Sequence, residues 1–318
     1  MNYLFFDIEC AGVFKNVAKI CAFGYCLTDE QFHILEKEDI LINPQGGFHL
    51  TDRRGEQGIV LPYKYEEFKK YPTFEAQAER IYGLLQDENT LVVGHAVQND
   101  VKYLNLESRR FQLPSFSFRF VDTQFLYMNV IGDFSRQYGL GVIAERLGVE
   151  FTPHRAVDDA YATMKVAQAL CKSENCSLTE LMKKYDVTAG KIDDYEIVQT
   201  TSIAAQKYKE EKDKAREERE RARAQFHIFA DKERRKRAKE GKLKGKTVCF
   251  SHALELQTPL AKKLLKAAFD NAAGITYRAE ECDLYVCFET ENCPRRQSVQ
   301  AKNIPVFTPE SFAALLGV

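Results

Sequence analysis

The sequence predicts an α/β protein built as two unequal domains joined by a long charged helix, and three observations carry that expectation. Over residues 1 to about 185, short apolar runs of strand length alternate with stretches whose apolar residues recur every three or four positions. From residue 200 to 246 the chain has no Pro, no Gly before Gly241, and charges of alternating sign. From about 245 a shorter alternation of strand and helix patterns resumes. A length of 318 residues with 45% hydrophobic side chains is enough for one full core and a second, smaller one.

The first apolar run, YLFFDI over residues 3–8, is followed by KICAFGYCLTD and HILEKEDILINP, which fit three successive strands. Asp7 and Glu9 stand two residues apart on such a strand, so both carboxylates point to one face and reach one cation. PTFEAQAERIYGLLQDEN sets Phe74, Ala78, Ile81, Leu84 and Leu85 along one side of a helix, and TLVVGH is a fourth strand. VVGHAVQNDVKYLN then reads as strand, turn and helix start. That puts His95, Asn99 and Asp100 near a sheet end, where ligand sites of α/β folds collect. Taken alone, Asn99 and Asp100 read as a helix N-cap. FRFVDTQFLYMNV is a fifth strand entering a helix capped by Asp122 or Thr123, and YGLGVIAERLGV is a helix ending at Gly148. In TPHRAVDDAYATMKVAQALCKSEN, His154 stands on a loop before a helix whose first turn holds Asp158 and Asp159, a place that also suits carboxylates through the helix dipole.

Charge is distributed unevenly. Residues 1–199 hold 21 Lys/Arg against 29 Asp/Glu, residues 200–246 hold 17 against 9, and residues 247–318 hold 7 against 8. The middle stretch is expected to be a solvated helical spacer over 186–244, supported by pairs such as Glu210 with Lys214, Glu217 with Arg221 and Glu233 with Arg237, each worth roughly 0.3 kcal/mol. Its surplus of cations also suits a nucleic-acid backbone. Nine cysteines without a CxxC pair read as buried small hydrophobes of a reducing compartment. No apolar run approaches the roughly 18 residues of a spanning helix, so the expectation is a cytoplasmic protein with no membrane partner.

Residues 1 to about 185 resemble the DEDDh family of 3′–5′ exonucleases. FDIE carries two acids, GHAVQND the third, and HRAVDDA a histidine with the fourth acid five residues later, a spacing that selects Asp159 over Asp158. LINP, PTFEAQAERI, VDT and YGLGVIAERLG agree in order. The chain departs from the family pattern at Cys10-Ala11-Gly12, where Thr-Thr-Gly is frequent, and at Ala96 and Asn99 in the second motif. The resemblance implies a ribonuclease-H-like mixed sheet flanked by helices and hydrolysis at a nucleic-acid 3′ end that releases nucleoside 5′-monophosphates, with DNA as the expected polymer. It implies two Mg²⁺ or Mn²⁺ ions, with Asp7 shared by both, Glu9 and Asp159 completing one site and Asp100 holding the other. Two such ions about 3.5–4 Å apart neutralise the charge that develops at phosphorus and on the leaving oxygen. His154 would be the base, a task that an ordinary histidine pKa of about 6.5 suits. Cys10, Ala11, His95 and Asn99 fall at the substrate end of these motifs. The alternatives from other classes are an end-binding scaffold without activity and an exoribonuclease acting on RNA.

The tail reads KGKTVCFSHALE, TPLAKKLLKAAFDNAAG, ITYRAEECDLYVCFE and IPVFTPESFAALL as strands and helices of a small α/β module. Over 245–318 it resembles a BRCT domain, which implies a protein, phosphopeptide or DNA-end partner. Ser251 with Arg295 or Arg296 is a candidate phosphate site, since guanidinium forks match phosphate oxygens, and a protein-docking module without a phosphate pocket is the alternative.

Overall fold

Thirteen residues, Asn2–Phe14, form the central strand β1, longer than its six-residue apolar run because the chain continues through a bulge at Glu9–Cys10–Gly12. The computed structural model describes residues 1–46, 65–150 and 155–318. It divides into two compact units, Met1–Tyr208 and Lys209–Val318.

In the first unit β1 is followed by β2 (Val17–Thr28), β3 (Ile34–Leu41), α1 (Tyr65–Phe68), α2 (Phe74–Leu85), β4 (Thr90–Gly94) and α3 (Gln98–Arg110). Then come β5 (Phe118–Asp122), α4 (Thr123–Ile131), α5 (Leu140–Leu147), α6 (Ala156–Glu174) and α7 (Leu178–Lys184). Four short strands complete the unit: β6 (Val187–Thr188), β7 (Gly190–Asp193), β8 (Glu196–Val198) and β9 (Thr201–Ser202). The seven-stranded sheet runs β3-β2-β1-β4-β5-β7-β8, with β1, β4 and β5 parallel and the rest antiparallel to their neighbours. Strand parity sorts the core. Leu4, Phe6 and Ile8 meet Phe74, Ile81, Val101 and Leu104 on one face, while Tyr3 and Phe5 meet Leu126, Ile143, Met164 and Leu170 on the other.

Two expectations are corrected in the stretch 186–244. Residues 190–198 are not spacer: they add β7 and β8 to the sheet edge, and Ile192 is buried. Helix α8 therefore runs only Ile203–Arg234, and its second half is not solvated throughout, because Phe226 and Ala230 are fully buried in the core of the second unit. Its described ion pairs also differ from the expected ones: Arg216 bridges Asp213 and Glu220, and Glu233 takes Lys236 instead of Arg237.

The second unit continues with β10 (Thr247–Phe250), α9 (His252–Leu256), α10 (Thr258–Asp270), β11 (Gly274–Ile275), β12 (Leu284–Val286), α11 (Pro294–Ala301), β13 (Val306–Phe307) and α12 (Pro309–Leu316). Its four strands are parallel in the order β11-β10-β12-β13. None of the described helices is long and apolar enough to cross a membrane, and all nine cysteines are free.

Candidate metal centre

Odd-numbered residues of β1 face α6, so Asp7 and Glu9 extend the row begun by Tyr3 and Phe5 and meet the first turn of that helix. There a carboxylate oxygen of Asp159 joins one each of Asp7 and Glu9, all within 4.8 Å of one another. Asp159 is 9% exposed. Its neighbour Asp158 turns instead to Lys37, at 3.6 Å.

Asp100 approaches from the opposite face of the sheet. It lies in the first turn of α3 and is 7% exposed. The helix cap is Val97, so Asn99 and Asp100 do not cap it, and Asn99 is exposed. Asp100 falls outside the group of three, yet its charge acts on Asp7.

Packing these carboxylates so closely raises the proton affinity of Asp7, Glu9 and Asp100. Asp7 is held well above the usual carboxylate range by burial and then by the charges of Asp100, Asp159, Glu9 and Asp39. Burial, with Asp159 and Asp39, pushes Glu9 up to about 8. Asp100 is raised by burial and by Glu9 and Asp122. For Asp7 and Glu9 burial and neighbouring carboxylates act in the same direction, so the group favours a proton or a cation. Oxygen donors of this kind fit a hard divalent cation such as Mg²⁺ or Mn²⁺.

The sheet positions this group through residues that the motif reading did not single out. Asp39 on β3, Gly24 on β2 and Asp7 on β1 stand in one cross-strand row. A Cβ on Gly24 would lie 2.0 Å from the carbonyl carbon of Ala156 and 2.0 Å from the amide nitrogen of Val157, so only glycine lets the start of α6 rest on the sheet beside Asp7. Arg155, the cap residue of α6, donates from Nε to Asp39 at 3.2 Å. A lone glycine inside a strand pattern was the available sequence signal for this close approach.

The remaining candidates separate. His154 lies outside the described residues. His95 is committed to the scaffold: its Nε2 donates to the Tyr138 carbonyl at 3.1 Å and its Nδ1 meets the Thr123 hydroxyl at 3.0 Å. Burial pushes its pKa down to about 4, so it is neutral. Ala11 is fully buried with Cys21 and Phe68, so its methyl group lines no substrate surface. Cys10 is half-buried, its thiol raised by burial. Of the two expected caps of α4, Asp122 is the one used, accepting from Gln124 and Phe125, and it also accepts from the Ala96 amide at 3.0 Å.

In the tail, Ser251, Arg295 and Arg296 do not form a phosphate cradle. Ser251 is fully buried, caps α9 by accepting from the Leu254 amide, and donates to Glu291 at 2.6 Å. Arg295 donates to the Tyr277 carbonyl and Cys249, and Arg296 to the carbonyls of Phe288, Glu289 and Glu291. The Glu291 carboxylate that takes the Ser251 hydroxyl would repel a phosphate there.

The Exonuclease (RNase T) family profile matches residues 4–167, just over half of the chain. No curated protein matches. Among solved structures, one described as 3′-end specific recognition of histone mRNA stem-loop by 3′-exonuclease is 14% identical. It covers 64% of this chain and 91% of its own, with a TM-score of 0.50. E. coli exonuclease I in complex with a dA16 oligonucleotide is 19% identical over 58% of this chain, with a TM-score of 0.44, and the match spans only 43% of that protein's length.

Proposed function

Because the chain belongs to the Exonuclease family, a family of phosphodiester hydrolases, we propose that it is a metal-dependent 3′–5′ exonuclease that releases nucleoside 5′-monophosphates from DNA 3′ ends. The observation that carries this reading is the grouping of Asp7, Glu9 and Asp159 within 4.8 Å. These three would hold one divalent ion, and Asp100, with Asp7, a second. Bound there, the two ions supply Lewis-acid stabilisation of the charge that develops on the phosphoryl and leaving oxygens. His154 is assigned as the base that accepts a proton from the attacking water, on the spacing of its motif. Asn99, exposed one residue before Asp100, is assigned to the approach of the terminal nucleotide.

An exonuclease domain followed by a BRCT-like domain belongs to the same reading, with the first extended from 185 to Tyr208 by β7 and β8 and the second supported by the parallel four-stranded α/β unit of the tail. The DNA assignment rests on that resemblance. Nine free cysteines fit a cytoplasmic, reducing setting.

The test is a time course on a 5′-labelled single-stranded DNA with Mn²⁺, beside an RNA of the same sequence and the Asp7→Ala variant. The expected result is a descending ladder from DNA that Asp7→Ala abolishes. Binding without any product from either polymer would establish the scaffold reading in its place, and a ladder from RNA alone would establish the exoribonuclease.

A further inference from the structure

The catalytic unit presents a difficulty that the second unit answers. Residues 1–199 hold 29 acids against 21 Lys/Arg, so their net charge repels a polyanion. Residues 232–246 carry nine Lys/Arg against two Asp/Glu. This basic run is pinned to the second unit. The Ala238 amide donates to the Phe269 carbonyl at 3.0 Å, the Leu243 amide donates to the Asn271 carbonyl at 2.9 Å, and Leu243 is buried.

Helix α10 brings further cations to the same place. Lys262 Nζ sits over the ring of Phe229 on α8, 5.3 Å from its centroid. Glu233, in the last turn of α8, feels the charges of Lys236, Lys266 and Lys232, so Lys266 of α10 stands near Lys232, with Lys263 one turn before it on α10. Lys232, Arg235, Lys263 and Lys266 are exposed. Among the described residues none of the four forms an ion pair, whereas Lys236, Lys244 and Lys246 each have a carboxylate.

We propose that this cationic face, built from Lys232, Arg235, Lys263 and Lys266, binds the sugar-phosphate backbone of a nucleic acid. Backbone contacts need only cations held on a surface, and each cation that meets a phosphate releases counter-ions. An anionic membrane is disfavoured, because in this part of α8 Phe226 and Ala230 are consumed in the core and Ile228 is the one large apolar side chain left exposed, too little to insert. The choice of nucleic acid over another polyanion rests on the exonuclease reading.

Fluorescence anisotropy of the full chain with a long 5′-labelled single-stranded DNA, in EDTA and over a series of salt concentrations, decides the matter. A variant with Glu at all four positions, and a second with Gln, should each bind about tenfold more weakly or worse, and the Gln variant's log–log salt slope should shrink by about 0.7 for every cation removed. Unchanged affinity and slope in both variants would overturn the proposal, as would binding of the wild type to phosphatidylserine vesicles but not to DNA. Hydrolysis of a small aryl ester of a nucleoside 5′-monophosphate with Mn²⁺ is measured alongside. Failure of the wild type there would remove the exonuclease reading while the anisotropy still decides the cationic face.

Discussion

Asp7 and Glu9 show how a site that destabilises its own protein signals a ligand. Glu9 has its pKa raised to about 8 from an ordinary value near 4.5, so the folded state holds this proton more tightly than the unfolded chain. Its stabilising contribution is fully present below about 4.5 and is lost as pH rises through about 8. Metal-free protein is therefore expected to melt at progressively lower temperature between pH 5 and pH 8.5, and Mg²⁺ or Mn²⁺ should restore more stability at the upper end. Calorimetry with EDTA and with added metal checks this, and a Tm that rises across the window would refute it. Asp7→Asn should raise the metal-free Tm at pH 8 and lower the hydrolysis rate by about 10³-fold, since ligand loss removes several kcal/mol of charge stabilisation. Equal Tm values for the two proteins would show that the repulsion is relieved some other way. At this scale the sequence was informative: the two-residue spacing of Asp7 and Glu9 fixed their common face, and Asp159, not Asp158, is the acid that joins them. His95 and Ala11 misled because position in a motif does not reveal burial. Their surroundings come from residues distant in the chain, Thr123 and Tyr138 for the first, Cys21 and Phe68 for the second.

Single elements are placed by contacts that differ in how far they can give. At Gly24 the neighbouring atoms are backbone atoms of α6, which cannot step aside without moving the helix that carries Asp159. Gly24→Ala is expected to cost about 3 kcal/mol, at the upper end of overpacking, and to depress activity by displacing Asp159. Gly83, exposed on α2 with nothing within 4 Å of an added Cβ, makes the contrast: Gly83→Ala should stabilise by about 0.8 kcal/mol through helix propensity. Urea denaturation of the two variants tests the pair, and similar effects of like sign would refute the close-approach argument. On α8, Phe226→Ala should cost the second unit about 3–5 kcal/mol by leaving a cavity. Ile228→Ala, at a side chain 70% exposed, should change stability by less than about 0.5 kcal/mol. The charge pattern of α8 identified a helix but not which half is buried. Phe226 and Ala230 look sparse in a sequence window, and only their partners Phe250 and Leu264 turn them into core.

For the whole molecule, the family resemblance suggested a boundary near residue 185 and the charge shift one near 200, whereas the first unit runs to Tyr208. β7 and β8 extend the sheet beyond β5, and the Asn105 side chain donates to the Tyr195 carbonyl while the Tyr195 hydroxyl donates to the Leu113 carbonyl. A fragment of residues 1–208 is expected to fold cooperatively. One of residues 1–185 uncovers Phe118 and Phe120 and strips β5 of an edge partner, so it should be markedly less stable or insoluble. Thermal melts by circular dichroism compare the two, and equal midpoints would show that the added strands contribute nothing.

By itself the sequence determined the strand that carries Asp7 and Glu9, the helices that carry Asp100 and Asp159, and the excess of cations after residue 200, because periodicity, spacing and charge are local properties of a chain. Tertiary structure alone decided that Gly24 admits α6 to the sheet, that Arg155 anchors it to Asp39, that Asp100 stands apart from the other three acids, and that the basic run after α8 is fixed to the second unit. Each of those depends on atoms far apart in the chain meeting within a few ångströms, and no local pattern encodes such a meeting.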